Sequence, residues 1–558
     1  MKFHRLSIVV LVLVLSFAAL NAMQLYVPVQ DPVYDYLERM ATRGIIPQMM
    51  NDTRPLQRDI VVKYLLNVKD NEMDLTRIDR EILYNFLSEY RRELKDRKHP
   101  AITGDNDHRL GIASFDNLGK DLSHVFRDDL NNEKRHIYIC EDEKTTVWVG
   151  SDFTVRGEAK NKTLRFVDQL GGQAFIQAGE HLAFFVDGYF FHQYKAEGWE
   201  EPAKEFKGYW YNDYEYENYA TFDRSEAYAN ITGDFGTLTI AHYPFNWGNS
   251  LNSVILSADA VPFGSLQWSR KFKHFKYTFL HGSLMTNTYT LTGDGRNYIP
   301  KYLVAHRIEM HMSPRFHINF SEMLIYGNRI PEATYLVPMV FLWPSEHALG
   351  DRDNNMIALE TEIFPLNGLR LYGTVFLDEL AFSKLFQDWW ANKFAVQGGF
   401  QWSPRSLPAD LIFEATAVHP WTYTHKYSFG SHTHHSKDLG FFAGPNSQLI
   451  TAKINYDLSR KSRLTLSYNR LLEGADSLMV DGTRYPSGGE SNQNYEDMAP
   501  QLEFATTWLM GDITKNKSLR LEWLYRWRNQ VTFLSACELR NVQGDRDFYY
   551  SLQININY

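Results

Sequence analysis

The regular alternation of short and long connections between amphipathic segments constrains this chain more than any other feature. From about residue 144 to the C-terminus, apolar and polar residues alternate with a period of two, and pairs of such segments are separated only by a few turn residues. This pattern is typical of β-hairpins. The pairs are 174–178 with 182–191, 227–232 with 238–242, 303–312 with 316–325, 356–363 with 369–378, and 449–458 with 463–470.

The connections between successive pairs are long. Their approximate ranges are 193–224, 243–263, 283–301, 326–355, 379–391, 419–446, 472–499 and 529–547. A soluble sandwich has no reason to sort its loops in this way, whereas an outer-membrane barrel has short periplasmic turns and long extracellular loops. We therefore expect an all-β membrane protein, in which residues 144–558 form a closed antiparallel transmembrane β-barrel of about 18 strands.

The two faces of the last strands support this interpretation. In the final segment one face carries Phe548, Tyr550, Leu552, Ile554, Ile556 and Tyr558, and the other carries Ser551, Gln553, Asn555 and Asn557. Such alternation fits strands with lipid outside and a polar lumen inside, and in lipid the sheet must close because an open edge would leave backbone groups unpaired. The terminal aromatic residue resembles the C-terminal insertion signal of bacterial outer-membrane proteins.

The N-terminus has the layout of an export signal. Lys2 and Arg5 precede an apolar stretch, 6–20, and the small residue Ala22 follows it. We expect residues 1–22 to be removed as a signal peptide and the mature chain to reside in the bacterial outer membrane as a multi-pass β-barrel. After this stretch the sequence contains no apolar run long enough for a membrane-spanning helix.

The segment that follows has helical rather than alternating periodicity. We expect a small periplasmic helical domain over residues 23–100 and a connector over residues 101–143. Its three helices would be capped by Asp31, Thr53 and Asp74. The domain could pack against the barrel, close its lower end or dock to a periplasmic partner.

One long loop has a composition suited to binding sugars. The range 193–224 holds ten aromatic residues, and eight acids against four bases. Aromatic faces stack on sugar rings and carboxylates bind hydroxyls, although an aromatic girdle at the membrane interface would have the same composition. The glycan-binding candidates from loop composition are Trp199, Trp210, Tyr211, Tyr214, Tyr216 and Trp247.

The sequence offers little sign of metal or catalytic chemistry. The loop 419–446 contains His419, His425, His432, His434 and His435, which could hold a metal or simply face solvent. The stretch 351–355 has a calcium-like composition but lacks the glycine and terminal Glu of an EF-hand loop. Neither a GxSxG nor an HExxH motif is present. We predict no metal, no cofactor and no enzymatic activity.

The charged residues of the strands and the two cysteines are expected to have structural roles. Arg307, Glu309, Glu360 and Glu362 are expected to form ion pairs that line or fill the barrel. Cys140 and Cys537 could pair in an exported protein, but the sequence does not decide this. The net charge of −9 argues against nucleic acid as a partner.

The chain resembles the Wzi family of capsule-assembly outer-membrane proteins, through landmarks that span nearly all of it. The landmarks are the opening stretch 31–47 followed by 54–58, then Trp247-Gly248, Tyr326-Gly-Asn-Arg329, Tyr335-Leu-Val-Pro338, Asp353-Asn-Asn-Met356 and Leu377-Asp-Glu-Leu380. The opening helices also resemble S-layer-homology repeats. The Wzi resemblance implies an 18-stranded barrel with a periplasmic helical bundle that holds capsular polysaccharide at the cell surface as a lectin.

Three functions remain open at this point. The first is a barrel that binds capsular or extracellular polysaccharide, with outer-membrane lipid around it. The second is a diffusion porin or sugar channel, and the third is an outer-membrane hydrolase.

Overall fold

The structure is a computed structural model that describes residues 25–558 with gaps. The gaps are 48, 96–125, 133, 135, 142–144, 180, 195–198, 200–214, 217–218, 287, 293–294, 380–381, 385–386, 479–481, 483 and 495–505. The predicted signal peptide and most of the predicted connector lie outside the described residues.

The described residues form one closed antiparallel barrel of 18 long strands. These are β1 Thr145–Lys160, β2 Thr163–Ala178, β3 Leu182–Tyr194, β4 Tyr219–Gly233, β5 Gly236–His242, β6 Gly264–Lys271, β7 Phe275–Leu284, β8 Lys301–Ser313, β9 Phe316–Gly327, β10 Asn354–Leu366, β11 Leu369–Glu379, β12 Lys393–Trp402, β13 Ala409–Val418, β14 Ser447–Ser459, β15 Ser462–Ala475, β16 Asp512–Arg526, β17 Val531–Val542 and β18 Asp545–Asn557. The predicted closed barrel of about 18 strands is therefore confirmed.

Strand β18 pairs with β1 and closes the sheet, with a register that runs from Tyr549 opposite Lys160 to Asn557 opposite Asp152. All five hairpins expected from the sequence are confirmed by the pairings of β2 with β3, β4 with β5, β8 with β9, β10 with β11, and β14 with β15. We call the end of the barrel that carries these tight turns the short-turn end, and the opposite end the long-loop end.

One predicted long connection, 529–547, is wrong. That range contains β17, and a tight turn at Gln543-Gly544 joins β17 to β18. Both turn residues have positive φ, as a two-residue hairpin of this kind requires. The strand escaped the pattern because Ser535 and Cys537 lie on its outer face, where the neighbouring strands carry large apolar residues.

A second tight turn, Asn161-Lys162, joins β1 to β2 at the same end of the barrel. The turns 161–162 and 543–544 lie side by side at the seam between β18 and β1. We call this stretch of the long-loop end the low rim, because no long loop rises from either hairpin.

The outer face of the barrel is apolar. Leu519, Leu521 and Trp523 on β16 have more than two fifths of their surface exposed, and Phe548, Tyr550 and Leu552 on β18 match them. The alternation predicted for the last strands is thus confirmed. Among the described residues, no helix is long and apolar enough to cross a bilayer.

The helices are short and most precede the barrel. They are α1 Pro32–Thr42, α2 Arg58–Asp70, α3 Arg77–Glu89 and α4 Arg91–Lys95, followed by α5 Leu342–Ala348 between β9 and β10; single 3-10 turns cover Glu72–Asp74, Ala333–Leu336, Phe382–Lys384 and Ser428–Gly430. The predicted cap of α1 is confirmed, since the Asp31 carboxylate accepts a hydrogen bond from the Val33 amide at 2.8 Å. The apolar faces of α1 to α4 pack into one buried cluster.

The other two predicted caps are wrong. Helix α2 begins after Gln57, and helix α3 begins after Thr76, whose hydroxyl accepts from the Asp79 amide. Thr53 is instead part of a two-residue strand, in which it pairs with Trp247 and Arg54 pairs with Asn246. The conformation of Thr53 is therefore set by its pairing with a distant segment of the chain and not by its local preference for helix caps.

The helical unit α1 to α4 closes the short-turn end. Thr42 accepts a backbone hydrogen bond from Gly368 at 2.7 Å, and Asn85 donates to the Arg460 carbonyl at 3.3 Å. At the centre of this contact Arg39 is fully buried. Its guanidinium pairs with Asp79 at 3.0 Å, with Asp410 at 2.8 Å and with Asp457 at 2.7 Å, so it joins the helices to strands β13 and β14.

Two long loops fill much of the lumen from the opposite end. The segments 243–263 and 419–446 contribute Trp247, Val254, Ile255, Leu256, Tyr423, Leu439 and Phe441 to a buried cluster with inward-facing residues of β7 to β14. The lumen on this side is therefore packed like the core of a soluble domain.

The two cysteines are too far apart along the barrel to pair. Cys140 lies in a short strand, Tyr138–Glu141, opposite Val147 of β1, whereas Cys537 lies opposite Tyr550, which lies opposite Ala159. Twelve residues of β1 separate these levels, roughly 40 Å at the usual rise of a strand. Cys537 is a free thiol on the outer face.

We expect Arg39→Leu to release the helical unit from the barrel. Losing the cation leaves the Asp79, Asp410 and Asp457 carboxylates buried together, which costs about 3–5 kcal/mol. In detergent-folded protein, limited proteolysis should cut the helical segment readily, while heat-modifiable migration on gels shows that the barrel persists. Arg77→Leu is the control, since Arg77 is exposed and its ion pair with Glu81 is 3.8 Å long. Equal resistance of both variants would contradict this role of Arg39.

Candidate functional site

Among the described residues, one side of the lumen is polar, namely the side away from the packed loops 243–263 and 419–446. It is lined by inward-facing side chains of β16 to β18 and of β1 to β4, beneath the low rim. Many of these side chains, such as Thr154, Gln553 and Asn555, are only partly buried. We call this region the lumenal cleft. Within the described part of the chain, its open end is the long-loop end, because the helical unit closes the other.

Charged side chains along the cleft alternate in sign. Arg156 and Arg165 both pair with Glu158, at 3.0 and 2.5 Å. Arg224 pairs with Glu226 at 2.7 Å. Strands β16 and β17 continue the series, with Arg520 to Glu522 at 2.9 Å and Arg540 to Glu538 at 3.2 Å. Each guanidinium is held by a neighbouring carboxylate. The pairs of β16 and β17 are only partly buried, so a ligand there meets fixed donors and acceptors instead of a single net charge.

Aromatic rings stand at the mouth of the cleft among these charges. Arg165 lies over the ring of Trp199 at 4.0 Å, and Arg540 lies over the ring of Tyr549 at 4.5 Å. The Trp199 and Tyr549 centroids are 6.1 Å apart. The indole N–H of Trp199 is buried and has no hydrogen-bond partner among the described residues. Flat rings beside fixed charges suit a ligand with both apolar faces and hydroxyl groups.

The structure brings only one predicted glycan-binding candidate into this cleft, namely Trp199. Trp210, Tyr211 and Tyr214 lie outside the described residues. Tyr216 lies in a two-residue strand, Glu215–Tyr216, that pairs with β4, and its side chain is outside the description. Trp247 is 1% exposed beneath the loops of the filled side, and we therefore leave it out of the candidate site.

The strand residues of the cleft were not predicted, because the glycan-binding candidates were chosen from the composition of loops. Tyr549, Arg540 and Arg165 stand on the polar faces of alternating segments, close to hairpin turns. An inward-facing aromatic next to a turn is a signal that the sequence does contain. The sequence pattern does not show, however, that β18 lies beside β1. That neighbourhood is seen only in the closed barrel.

The histidines of the loop 419–446 are a packing feature. His419, His425, His432 and His434 are buried, and the His432 ring stacks on Tyr423 at 5.0 Å. Burial and then the nearby Lys301 lower the pKa of His432 to about 3, and burial lowers the pKa of His434 to about 3 as well. Within the part of the chain that is described, these rings form no metal-binding group.

The stretch 351–355, with its calcium-like composition, also makes contacts with other protein groups. Asp353 accepts hydrogen bonds from Arg329 at 2.8 Å and from the Tyr335 hydroxyl at 2.8 Å. A group that could hold a metal exists nearby, formed by Glu346, His347 and Asp351, but two of its members are exposed and exposed acidic groups are common.

The predicted ion pairs of the lumen are confirmed. Arg307 and Glu360 are in contact and both fully buried, and Glu309 pairs with Lys276 at 2.9 Å. Glu362 contacts Arg370 and lies 3.1 Å from His317. These groups lie on the filled side of the barrel, below Trp247, and hold the packed segments against the barrel wall.

The closed sheet, the apolar outer face and the occupied lumen define the class: the chain has the fold of an outer-membrane β-barrel. No family model and no curated protein sequence matches it. Among solved structures it is similar to Wzi of Escherichia coli, described as an outer-membrane protein involved in group 1 capsule assembly and as a carbohydrate-binding β-barrel. The TM-score is 0.56 at 13% identity, over 95% of this chain and 99% of that chain.

Weaker likenesses are to OprD of Pseudomonas aeruginosa and to OccAB2 of Acinetobacter baumannii. The former has a TM-score of 0.43 at 10% identity, over 74% of this chain and 95% of that chain. The latter has a TM-score of 0.42 at 10% identity, over 74% and 98%. The fold implied by the Wzi resemblance is confirmed, and the binding role remains a prediction.

Acid should loosen the loop 419–446. A buried histidine with a pKa near 3, against about 6.5 when unfolded, contributes stability above pH 6.5 that is lost as the pH falls, on the order of 3 kcal/mol by pH 4. Hydrogen exchange of this loop should therefore speed up between pH 6.5 and 4. His432→Phe keeps the stack on Tyr423 and should weaken that dependence, while the buried His419, His425 and His434 retain their share of it.

The matched control is His347→Phe, because His347 is half-exposed on α5 and outside the loop. It should leave the pH dependence of exchange in 419–446 unchanged. A profile for His432→Phe that equals the profile of the parent protein would show that His432 does not control the loop.

Proposed function

We propose that this protein binds capsular or extracellular polysaccharide at the cell surface, without catalysis, as an outer-membrane barrel whose lumenal cleft is the binding site. The observation that carries the proposal is the cluster of Trp199 and Tyr549 with Arg165 and Arg540 at the mouth of the cleft. The loop lengths support an orientation with the long-loop end outside the cell, because extracellular loops of such barrels are the longer ones.

The chemistry of the cleft supports a glycan. The rings offer apolar faces to the C–H side of a sugar, and the paired Arg and Glu side chains offer donors and acceptors to its hydroxyls. Arginines in the cleft also suit the carboxylates of uronic acids, which accept paired hydrogen bonds from guanidinium. The low rim leaves the site accessible to a long chain, which a deep closed pocket would exclude.

The filling of the lumen supports binding over transport. Loops 243–263 and 419–446 occupy one side, and the helical unit occupies the short-turn end. Below the cleft, Arg463 pairs with Asp35 of α1 at 3.1 Å, and Arg526 lies over the Phe86 ring of α3 at 5.8 Å. These contacts place protein between the cleft and the short-turn end.

The likeness to Wzi of E. coli points the same way, since that barrel is described as binding carbohydrate. At 13% identity the likeness supports the choice of ligand class but transfers no residues. The helical unit, which the sequence assigns to residues 23–100, would then face the periplasm and be available to a partner there.

Trp199→Ala and Tyr549→Ala should each weaken binding of purified capsular or exopolysaccharide about ten-fold, the effect of losing roughly 1.4 kcal/mol of stacking. Binding would be measured by surface plasmon resonance on folded protein in detergent or nanodiscs. Trp523→Ala is the matched control, because Trp523 is an exposed aromatic on the outer face of β16. It should leave the dissociation constant unchanged.

Two outcomes would contradict this assignment. Undiminished binding by both cleft variants would move the site elsewhere on the protein. Release of reducing ends or acyl groups from the glycan by pure protein would instead favour an outer-membrane hydrolase.

In planar bilayers the parent protein should show no large steady conductance, because helices and loops obstruct the lumen. Arg39→Leu, which frees the helical unit, should raise the conductance or its fluctuations. Steady channels of porin size in the parent protein would favour the sugar-channel alternative over a surface binder.

A further inference from the structure

One patch of the outer wall differs from the rest of the barrel. On most strands the outward-facing residues are exposed, for example Ile240 on β5 at 65% and Leu359 on β10 at 44%. On β8 and β9 the outward-facing Val304, Leu324 and Tyr326 are completely buried. Their orientation follows from their neighbours, because the adjacent Leu303 and Ile325 belong to the cluster that fills the lumen.

The covering element is the connection between β9 and β10, residues 328–353, which we call the external flap. It folds down against the outside of the barrel and includes α5. Its Tyr335 ring lies 5.1 Å from Tyr326, and its Pro338 carbonyl accepts a hydrogen bond from the Tyr277 hydroxyl. Leu342 of α5 is buried in the same external cluster as Phe279.

Both ends of the flap are tied to the barrel by one polar cluster. Arg329 and Tyr335 donate to the buried carboxylate of Asp353, and the Asp353 amide donates to Glu346 at 3.1 Å. These hydrogen bonds fix the geometry of the flap against the ends of β9 and β10.

Beneath the flap the outer wall carries polar side chains, which lipid would not tolerate uncovered. Glu322 and His306 face outward and are 5% and 8% exposed, and Glu322 accepts from the Trp343 amide at 2.9 Å. His281 is hydrogen-bonded to the Tyr326 hydroxyl at 2.8 Å. A charge on the lipid face of a barrel is destabilising, more so toward the middle of the bilayer.

These groups lie below the upper edge of the barrel. Glu322 is five residues from Gly327 at the end of β9, which for a tilted strand places it roughly 13 Å down the wall. The flap lies level with exposed apolar residues of the outer face, since Leu266 of β6 lies opposite His281 of β7 and is 37% exposed.

The outward surface of the flap is strongly apolar. Its exposed side chains are Ile330, Leu336, Val337, Met339, Phe341 and Trp343, of which Met339 and Phe341 are 73% and 75% exposed. A patch of this kind facing water would promote aggregation. Here it continues the apolar band of the barrel and ends in a Trp, a residue favoured at membrane interfaces.

We propose that the external flap is embedded in the outer leaflet, where Met339, Phe341 and Trp343 contact lipid acyl chains and the flap shields the polar outer wall of β7 to β9. This makes the flap a membrane-contact element that lies outside the barrel. The proposal is independent of whether the lumenal cleft binds a glycan.

Site-directed spin labelling tests the proposal in the full-length mature protein reconstituted in phosphatidylcholine vesicles. Labels are placed at Met339→Cys and Phe341→Cys, in a background with Cys140→Ser and Cys537→Ser. Collision rates with oxygen, which concentrates in lipid, are compared with those of a water-soluble nickel chelate. Leu359→Cys on β10 is the lipid-facing control, and Asp351→Cys, whose parent side chain is 77% exposed at the flap's end, is the control for water.

The proposal predicts an oxygen-to-nickel ratio at 339 and 341 that matches 359 and exceeds 351 several-fold. A ratio equal to that of 351 at both positions would place the flap in water and overturn the proposal. Low collision with both reagents would overturn it too, because the surface would then be covered by protein. Dipolar broadening between labels would identify that cover as a second copy of this chain. Heat-modifiable migration on gels verifies that each labelled variant is folded. If one of the variants at 339 and 341 does not fold, the other still tests the proposal.

Discussion

The rest of the structure depends on the requirement that a sheet in hydrocarbon leave no backbone group unpaired. Strand β18 meets this requirement by pairing with β1 from Asn557 to Tyr549, and the ring of 18 strands has no free edge. Closure brings two hairpins with tight turns, 161–162 and 543–544, side by side at the long-loop end. The low rim therefore lies where the first strand of the barrel, β1, meets the last strand, β18. The lumenal cleft lies directly below it.

A barrel of this size encloses more space than its own side chains fill, and the chain fills it from both ends. Residues 53–54 from below pair with 246–247 from above, so the helical unit and a long loop form one two-stranded sheet inside the lumen. Buried ion pairs around Arg39 and Arg307 hold these segments to the wall. Buried pairs of this kind specify position more than they add stability. Within the described residues the filling is one-sided, and the polar cleft is the part of the lumen that these segments leave.

Much of the barrel could be predicted from the sequence because period-two alternation is a local property. The strand 531–542 escaped because Ser535 and Cys537 interrupt its apolar face, and the role of Thr53 escaped because its partner Trp247 is far away in sequence. Loop composition singled out Trp199, which lies beside Arg165 and Tyr549 and stays a prediction as a binding residue. Its neighbours Tyr549 and Arg540 needed the closure of the barrel, and the external flap needed the register that turns Glu322 outward. What sequence reasoning lacked was therefore the set of contacts between strands that are distant along the chain.

The closed seam can be measured directly by backbone hydrogen exchange of the mature protein in lipid nanodiscs. If β18 and β1 close the barrel in hydrocarbon, amides in 552–557 and 152–157 should exchange as slowly as those of β8 to β10, whose strands are paired on both sides. Fast exchange confined to β18 and β1 would reveal an open edge, and would contradict the closed transmembrane barrel on which the cleft, the filled lumen and the external flap all depend.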